Sequence, residues 1–477
     1  MRKEFDATRL QSDVLVIGGG PGGYTAAFRA ADLGRKVILV ERHALLGGVC
    51  LNVGCIPSKS LLHVARSICD AESMGAHGIE FGRPRLDLER IRQWKDGIVG
   101  RLAEGLGGLA QARRIQVVQG LARFLSPRAV RVQGQAGTFE VGFDDCVIAS
   151  GSRSIKLEHF PDDARVMDST GALALRDIPS RLLVVGGGIV GLELGAVYHA
   201  LGSRVTVAEA GPQLVPGADE DVVKPLADRL RRRYEGILLN TTVSALEPVR
   251  QGLRATFASN AEQSPETYDK VLVAVGRCPN TGSLDLEQAG LAVDARGLIE
   301  VDGQMRTRVP GIYAVGDVTV GPMLAHKAVH QGKIAAEAIA GSGARFDPRA
   351  IPSVAYTDPE VAWTGLTERE AKARGVAYEK SVFPWNASGR AWTNARPDGV
   401  TKLIYDRQSR RLLGAAVTGI GAGDLISEAI VAIEMDADVG DLALAVHPHP
   451  TLSETMGLAA EMAEGTITDL LPARKAG

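Results

Sequence analysis

The chain has 477 residues, of which 45% are hydrophobic and 23% are charged, as in an ordinary globular protein. A single hydrophobic core stops growing at about 250–300 residues, so this length predicts more than one domain. The 54 Lys and Arg residues nearly balance the 56 Asp and Glu residues, and the formal charge of −2 argues against nucleic acid or an anionic membrane as the main partner.

The beginning of the sequence, MRKEFDATRLQSD, is charged and lacks the apolar centre of a signal peptide. No run of about 18 uncharged apolar residues occurs, which predicts that no segment spans a membrane. The five cysteines are an odd, small set for this length and do not resemble a secreted disulfide scaffold. We therefore expect a cytoplasmic protein.

Two segments of the chain share one βαβ pattern. In the first, an apolar strand at 13–17 precedes a glycine-rich turn at 18–23, an alanine-rich helix at about 24–33 and a strand at 36–40 that ends at Glu41. In the second, a strand at 182–185 precedes a glycine-rich turn at 186–191, a helix to about Ala200 and a strand at 204–208 that ends at Glu209. The first glycine and the acid are 23 residues apart in both copies, which predicts two dinucleotide-binding modules.

The glycines and the acid of each module suit a dinucleotide. Glycine permits the tight turn, lets backbone amides approach a pyrophosphate and lets the helix pack closely on the strand, and the helix N-terminus faces the phosphates. The carboxylate accepts hydrogen bonds from ribose hydroxyls and repels a 2′-phosphate, so Glu209 predicts NAD rather than NADP. The predicted phosphate-binding glycines are Gly18, Gly20 and Gly23 in the first copy and Gly186, Gly188 and Gly191 in the second.

The later part of the chain adds closing strands and a third domain. Apolar runs at 147–151 and 271–276 end the two modules, and a strand at 311–317 precedes a helix at about 324–340. After Pro348 no glycine fingerprint occurs, and the pattern predicts antiparallel strands within 352–363 and 402–418 and helices at 424–435 and 451–464.

Cys50 and Cys55 are close enough in sequence to act together. Five residues of regular helix rise about 7.5 Å, whereas the Cα atoms of a disulfide lie within about 7 Å, so a bond needs a distorted turn, for which Gly54 gives freedom. Such a bond would be reducible. The alternatives are two unbonded helical thiols or half of a zinc site, and no metal site is predicted because no second cysteine pair has metal spacing. The other cysteines, Cys69, Cys146 and Cys278, are interpreted as packing residues.

Two histidines, His447 and His449, lie in a proline-rich turn near the end of the sequence. The turn is either a surface loop or a stiff support, in which proline fixes φ ahead of a helix capped by Thr451. Glu454, expected one helical turn into that helix, is placed to orient an imidazole. Beside a disulfide, such a pair forms an acid–base dyad for thiols.

Segment 47–59, GGVCLNVGCIPSK, resembles the redox-active disulfide motif of the pyridine nucleotide–disulfide oxidoreductases. The resemblance covers nearly the whole chain, because 314–317 is similar to the family's second FAD motif, 323–326 to the segment along the flavin, and His449-Pro450-Thr451 with Glu454 to its active-site motif. Pro448 departs from the Ala that is usual between the two histidines. Ser58-Lys59 is the ending typical of the members that oxidise dihydrolipoamide.

The resemblance implies an α/β protein with two Rossmann-like dinucleotide-binding domains, for FAD and NAD, and a C-terminal α+β dimerisation domain. The predicted limits are 1–155 for the first part of the FAD-binding domain, 156–282 for the NAD-binding domain, 283–350 for the central FAD-binding segment and 351–477 for the interface domain.

The resemblance also implies site residues beyond the glycines. FAD contacts are expected from Glu41, Lys59, Asp317 at the ribityl chain, Met323, Ala325 and His326, and NAD contacts from Glu193, Glu209 and Gly276. Lys59 would lie beside the flavin and pair with Glu193. Their charges allow such a salt bridge, although without the resemblance two solvated surface charges would be favoured. The implied catalytic residues are Cys50, Cys55, His449, Glu454, Lys59 and Glu193.

The implied reaction is oxidation of protein-bound dihydrolipoamide by NAD⁺ through the Cys50–Cys55 disulfide and FAD, with His449 as the base. The dyad would reach the disulfide of the other subunit, which makes a homodimer obligatory, and the expected partners are the lipoyl domains of 2-oxo acid dehydrogenase complexes. One alternative is a glutathione-type reductase using NADPH, against which Glu209 and Ser58-Lys59 argue. The other is a non-catalytic flavoprotein subunit, against which the intact cysteine pair and dyad argue.

Overall fold

The computed structural model describes residues 8–135, 137–259 and 264–471. The chain forms two compact units. The first takes in the chain up to Leu61 with Asp87–Ile155 and Gly276–Asp347, and the second takes in Leu62–Leu86, Lys156–Val275 and the chain from Pro348 onward. Residues 1–7 lie outside the described residues. They begin the charged segment in which no signal peptide is predicted. The domain limits given above stay predictions.

The elements up to Ile155 belong to the first module and its closing strands, except for the later part of the third helix. The strands are β1 (Thr8–Ile17), β2 (Val37–Glu41), β3 (Gln116–Gln119), β4 (Leu121–Ser126), β5 (Ala129–Gly134), β6 (Gly137–Ile148) and β7 (Ser152–Ser154). The helices are α1 (Pro21–Asp32), α2 (Gly48–Val53), α3 (Cys55–Ser73) and α4 (Leu88–Ala112).

The segment from Lys156 to Val275 contains the second module. Its strands are β8 (Val166–Met167), β9 (Arg181–Val185), β10 (Arg204–Ala208), β11 (Gly236–Leu238), β12 (Thr241–Val249), β13 (Gly252–Ser259), β14 (Glu266–Tyr268) and β15 (Lys270–Val273). Its helices are α5 (Ser169–Leu173), α6 (Ile189–Ala200) and α7 (Glu220–Arg233).

The rest of the chain returns to the first unit and then forms a third sheet-and-helix layer. The strands are β16 (Arg277–Pro279), β17 (Ile312–Ala314), β18 (Ser353–Ala355), β19 (Glu360–Gly365), β20 (Tyr378–Pro384), β21 (Val400–Asp406) and β22 (Leu412–Gly419). The helices are α8 (Ala325–Ile339), α9 (Glu368–Ala373), α10 (Gly389–Thr393), α11 (Ala422–Glu434), α12 (Val439–Leu444) and α13 (Glu454–Glu464). No helix in the described ranges combines the length and the apolar character needed to cross a membrane.

The first module forms the centre of a largely parallel sheet, with strand order β3-β2-β1-β6-β5-β4 and β17 beside β6. β1 pairs in parallel with both β2 and β6. Val14, Leu15 and Val16 are fully buried, as expected of a strand covered on both faces. The predicted βαβ unit is present, and its helix begins at Pro21 rather than near Tyr24, because proline suits the first helical position.

Helices α1 and α8 pack against each other through small residues. A Cβ on Gly332 would lie 2.4 Å from the carbonyl oxygen of Gly22, so the two backbones approach too closely for a side chain. Ala26, Ala30 and Ala335 are fully buried in the same core as Val14. This crossing holds α8, which carries the segment predicted to run along the flavin, against the helix of the first glycine turn.

The second unit contains two separate larger sheets and, in addition, a three-stranded ribbon. The second module forms the parallel sheet β11-β10-β9-β15-β8. The segment after Pro348 forms the antiparallel sheet β18-β19-β22-β21-β20. Trp385 is fully buried there and its Nε1 donates to Thr401 Oγ1 (2.9 Å), so this sheet has its own core. The antiparallel strands and the helices predicted after Pro348 are therefore present.

Lys402, on β21, carries a fully buried ammonium group among three carboxylates of the second unit. Its Nζ lies 3.0 Å from Asp219, 2.8 Å from Asp221 and 2.5 Å from Glu368. These carboxylates are close enough together to hold a metal ion, but Lys402 already supplies the positive charge among them. Burial opposes ionisation of Glu368, yet hydrogen bonds from Lys380 and Lys402 lower its pKa to about 2.

Replacing Lys402 with Met is expected to destabilise the second unit by about 3–5 kcal/mol, because it removes a fully buried cation and leaves three partly exposed carboxylates close together without it. Urea unfolding followed by tryptophan fluorescence reports this region, since Trp363, Trp385 and Trp392 all lie after Pro348. The control is Lys380→Met: that side chain is 43% exposed, and its ion pairs should contribute less than about 1 kcal/mol. Equal shifts of the urea midpoint in the two variants would contradict the prediction.

Candidate active site

The first glycine turn, between β1 and α1, has a backbone that side chains would block. Gly18 has a φ of +105°, and a Cβ on it would lie 2.3 Å from the carbonyl oxygen of Ala149. A Cβ on Gly23 would lie 1.8 Å from the carbonyl oxygen of Gly18. Gly20 is the N-cap of α1 and places no side chain over the first N–H groups of that helix. The turn therefore fits a pyrophosphate.

Glu41 is buried at the end of β2 and is held by the turn itself. Its Oε2 accepts a hydrogen bond from the N–H of Gly19 (2.6 Å), and its Oε1 accepts one from the N–H of His43 (2.9 Å). Each carboxylate oxygen has a second acceptor position, so the group can also accept from a ribose hydroxyl. This arrangement fits the adenosine end of FAD.

The second glycine turn repeats this geometry in the second unit. Gly186 has a φ of +108°, and a Cβ on it would lie 2.4 Å from the carbonyl oxygen of Ala274. Glu209 accepts hydrogen bonds from the N–H groups of Gly187 (2.6 Å) and Gly211 (2.7 Å). The residues therefore fit a second adenine dinucleotide, and the fixed carboxylate favours an unphosphorylated ribose.

Replacing Glu209 with Arg is expected to shift coenzyme preference from NAD⁺ towards NADP⁺ by about tenfold or more, because the change removes a ribose acceptor and adds a partner for a 2′-phosphate. The measurement is the ratio of kcat/KM for the two coenzymes. Glu247→Arg, at an exposed position on β12, is the charge-matched control and should leave the ratio unchanged. A ratio unaltered in Glu209→Arg would show that Glu209 does not bind the ribose.

Asp317 lies in a short 3-10 helix after β17 and is held by two residues that sequence reasoning missed. The Ser152 hydroxyl donates to Asp317 Oδ2 (2.5 Å), and Arg277 Nε donates to the same hydroxyl (2.7 Å). Because a guanidinium only donates, the Ser152 proton must point to Asp317. Oδ1 of Asp317 is thus left for a ligand hydroxyl, as on the ribityl chain of FAD. The slight sequence signal was that Ser152 and Arg277 directly follow the glycines of the closing strands.

Replacing Ser152 with Ala is expected to weaken FAD binding about tenfold or more, since a hydrogen bond to a charged group contributes about 1.5–3 kcal/mol. FAD released on dilution, measured by its fluorescence, gives the dissociation constant. Ser73→Ala, at an exposed serine that ends α3, is the control. FAD affinity equal to that of the unaltered protein would contradict the role given to Ser152.

Two buried residues on α8, one turn apart, hold the loop that carries Asp317. Gln331 Oε1 accepts from the N–H of Gly316 (2.8 Å), and Lys327 Nζ donates to the carbonyl oxygen of Val320 (3.1 Å). Burial lowers the pKa of Lys327 to about 8, against the opposing charge of Asp317. At the start of the same helix, Met323 precedes the N-cap and Ala325 and His326 are the first two helical residues. Their contacts with the flavin stay predictions.

Cys50 and Cys55 lie on either side of a break between two helices. α2 ends at Val53 and α3 begins at Cys55, and a Cβ on Gly54 would lie 2.8 Å from the carbonyl oxygen of Val49. The distorted turn expected at Gly54 is therefore present. The two sulfurs are not bonded to each other here, and the redox disulfide expected between them stays a prediction.

The two thiols influence each other's chemistry. The hydrogen bond with Cys55, and then burial, raises the pKa of the Cys50 thiol, while the nearby charge of Lys59 acts in the opposite direction. Cys50 therefore keeps its proton more strongly than an isolated thiol does. Burial, and then the charges of Cys50 and Cys55, raise the pKa of Tyr24 on α1. Sequence reasoning did not single out Tyr24.

His449 and Glu454 form a hydrogen-bonded pair after α12. His449 Nδ1 lies 2.8 Å from Glu454 Oε1, and Glu454 Oε2 accepts the N–H of Thr451 (2.6 Å). The His449 side chain is 81% exposed, whereas that of Glu454 is 22% exposed. The carboxylate thus fixes one ring nitrogen and leaves Nε2 open to a substrate, as general acid–base chemistry requires.

Two details of this turn were predicted wrongly. α13 begins at Glu454 with Ser453 as its N-cap, so Thr451 is not the cap and Glu454 is not one turn into the helix. The Thr451 hydroxyl instead donates to the carbonyl oxygen of Pro448 (2.7 Å), and its N–H is taken by Glu454. Both polar groups of Thr451 therefore close the turn, and the helix starts only after it.

The remaining predicted site residues are placed on different elements. Lys59 lies on α3 in the first unit, and Glu193 is buried on α6 in the second unit, where its Oε1 accepts the N–H of Tyr356 (3.0 Å). Gly276 has a φ of +125°, and its carbonyl oxygen accepts the N–H of Ile155 (3.1 Å). The pairing of Lys59 with Glu193 and the NAD contact of Gly276 stay predictions.

Family models match both parts of the chain. The model described as pyridine nucleotide-disulphide oxidoreductase matches residues 12–332, and the model of that family's dimerisation domain matches residues 351–460. The chain belongs to the pyridine nucleotide-disulphide oxidoreductase family. The family and the fold class predicted from the sequence are thereby confirmed.

Relatives match this oxidoreductase over nearly its full length. It is 51% identical over 469 residues to dihydrolipoyl dehydrogenase of Vibrio parahaemolyticus, covering 98% of both chains, and 50% identical to that of Haemophilus influenzae, covering 97% of both. LpdA from Mycobacterium tuberculosis, 25% identical, superposes with a TM-score of 0.87 over 96% of this chain and 100% of that one. The Cu(II) complex of the HOCl-induced flavoprotein disulfide reductase RclA from Escherichia coli, 28% identical, gives 0.85 over 95% and 99%.

Proposed function

We propose that this oxidoreductase uses FAD to oxidise dihydrolipoamide carried on a lipoyl domain and passes the electrons to NAD⁺. The observation that carries the proposal is that one chain holds both a hydrogen-bonded cysteine pair, Cys50 and Cys55, and an exposed His449–Glu454 pair. The names of relatives about half identical to this chain support the same substrate.

The thiol chemistry follows from these four side chains. In the oxidised protein Cys50 and Cys55 form a disulfide. His449 Nε2 takes the proton of one substrate thiol, while Glu454 stabilises the imidazolium through Nδ1. The substrate thiolate attacks the sulfur of Cys50, which breaks the disulfide and releases Cys55 as a thiolate.

A second step completes the oxidation of the substrate. The other substrate thiol loses its proton to solvent and attacks the substrate sulfur of the mixed disulfide, which closes the lipoamide ring. Cys50 leaves as a thiol that takes its proton from His449. The cysteine pair has then gained two electrons. Bound FAD supplies the transfer of these electrons to NAD⁺, which leaves as NADH.

The working form is an obligate homodimer, in which the His449–Glu454 pair of one subunit serves the cysteine pair of the other, and a match to the family's dimerisation domain supports it. Its partners are the lipoyl domains of a 2-oxo acid dehydrogenase complex. The domain limits are those predicted from the sequence, with Lys59 and Glu193 paired beside FAD, and the compartment is the cytoplasm.

The test is NADH formation from dihydrolipoamide and NAD⁺ by the purified holoenzyme, with NADP⁺ and glutathione as controls. Fast turnover with dihydrolipoamide and NAD⁺ is expected, with little activity in either control. Faster reduction of glutathione disulfide by NADPH would replace the proposal with the glutathione-type alternative. Bound FAD without activity towards any disulfide or dithiol would replace it with a non-catalytic role.

A further inference from the structure

His447 lies two residues before His449 and has a carboxylate partner of its own. Its Nε2 lies 2.8 Å from Glu428 Oε1 on α11, and its Nδ1 lies 2.9 Å from the carbonyl oxygen of Ala445. The His447 side chain is 13% exposed, against 81% for His449. The turn after α12 thus holds two His–carboxylate pairs, one shielded and one open.

Both partners of the His447 ring are acceptors. A backbone carbonyl oxygen and a carboxylate oxygen both accept hydrogen bonds, and each of them faces one ring nitrogen of His447. Turning the ring over would place a carbon against each acceptor. The two hydrogen bonds therefore fix the ring in one orientation.

Helix α13 packs against the same ring. A Cβ on Gly457 would lie 2.8 Å from His447 Nδ1 and 3.0 Å from its Cε1. The ring therefore fills the space that a side chain at position 457 would take. The His447 ring therefore contacts Glu428 on α11 and Gly457 on α13, and it joins the turn to both helices. Helix α13 also carries Glu454, the partner of His449.

We propose that His447 is a positioning residue for His449, an inference that rests on the proposed function. Only Pro448 separates the two histidines, and its ring fixes one backbone dihedral. The carbonyl oxygen of Pro448 is held by the Thr451 hydroxyl (2.7 Å). His447 anchors the beginning of the turn and Glu454 anchors its end, and the direction of His449 Nε2 is set between them.

The test is stopped-flow reduction of the flavin in His447→Ala holoenzyme by two separate reductants. Reduction by dihydrolipoamide, which needs His449, is expected to slow by about tenfold to a hundredfold, the cost of a misplaced acid–base group. Reduction by NADH, which does not need it, should stay within about twofold of the unaltered rate. A merely structural role would not separate the two rates.

Companion variants keep the test decisive if His447→Ala fails to fold. Gly457→Ala keeps the His447 side chain but places a methyl group against its ring, which should displace the ring and slow flavin reduction by dihydrolipoamide. His447→Gln retains a donor for Glu428 and should recover part of the rate. Asp424→Asn, at an exposed carboxylate one turn earlier on α11, is the control and should change neither rate.

Three results would overturn the inference: an unchanged dihydrolipoamide rate in both His447→Ala and Gly457→Ala, an equal loss with both reductants, or the same loss in Asp424→Asn. If dihydrolipoamide does not reduce the unaltered protein, the proposed function fails instead. In that case dithiothreitol replaces dihydrolipoamide as the dithiol in the same comparison of variants. A protein that neither dithiol reduces would overturn both proposals.

Discussion

Replacing Cys50 with Ser is expected to stop NADH formation from dihydrolipoamide while FAD stays bound. A serine hydroxyl cannot form the disulfide that the substrate thiolate attacks, so the loss should be at least about 10³-fold, as for removal of a covalent partner. The glycine turn, Glu41 and the Ser152–Asp317 contact that fit FAD are unaltered. The flavin absorbance per protein and the rate with dihydrolipoamide are the two measurements.

Cys278→Ser is the matched control for this change, because it removes a thiol of the same unit that is not paired with another cysteine in the proposed chemistry. It should retain turnover. Cys50→Ser should also keep the ability to pass electrons from NADH to an artificial acceptor, which does not require the disulfide. Normal dihydrolipoamide turnover in Cys50→Ser would remove the disulfide from the mechanism.

Replacing His449 with Gln is expected to lower kcat with dihydrolipoamide by about 10²–10⁴-fold, the usual contribution of a general acid–base group. Glutamine can still hydrogen-bond to Glu454 but has no second nitrogen in the ring position that takes the substrate proton. Electron transfer from NADH to an artificial acceptor should be unaltered, since it bypasses the thiol step.

Two further variants define what His449 does. Glu454→Gln should cause a smaller loss, because the imidazole remains but loses the charge that stabilises its protonated form. His77→Gln, at an exposed histidine on a short 3-10 helix, is the control. If His449→Gln turned over at the unaltered rate, the base would have to be sought elsewhere in the site.

The two nucleotide modules were predictable because their causes are local. A strand, a glycine turn, a helix and an acid within one βαβ unit specify the contact of Gly19 with Glu41 and that of Gly187 with Glu209, each spanning 22 residues. The same applies to His449 and Glu454, five residues apart. Local reasoning failed at Thr451, where a hydroxyl has two uses, capping a helix or closing a turn, and the sequence pattern does not choose between them.

By itself the sequence determined the family and the fold class, and it predicted the Cys50–Cys55 and His449–Glu454 pairs, because these depend on residues close together along the chain. The tertiary structure decided which distant side chains support them. Ser152 contacts Arg277 and Asp317, which are 125 and 165 residues away in sequence. Glu428, on α11, contacts His447 in the turn after α12. Lys402 contacts three carboxylates. Such partners share no spacing or period, so only the packing of completed sheets and helices brings their polar atoms within hydrogen-bonding distance.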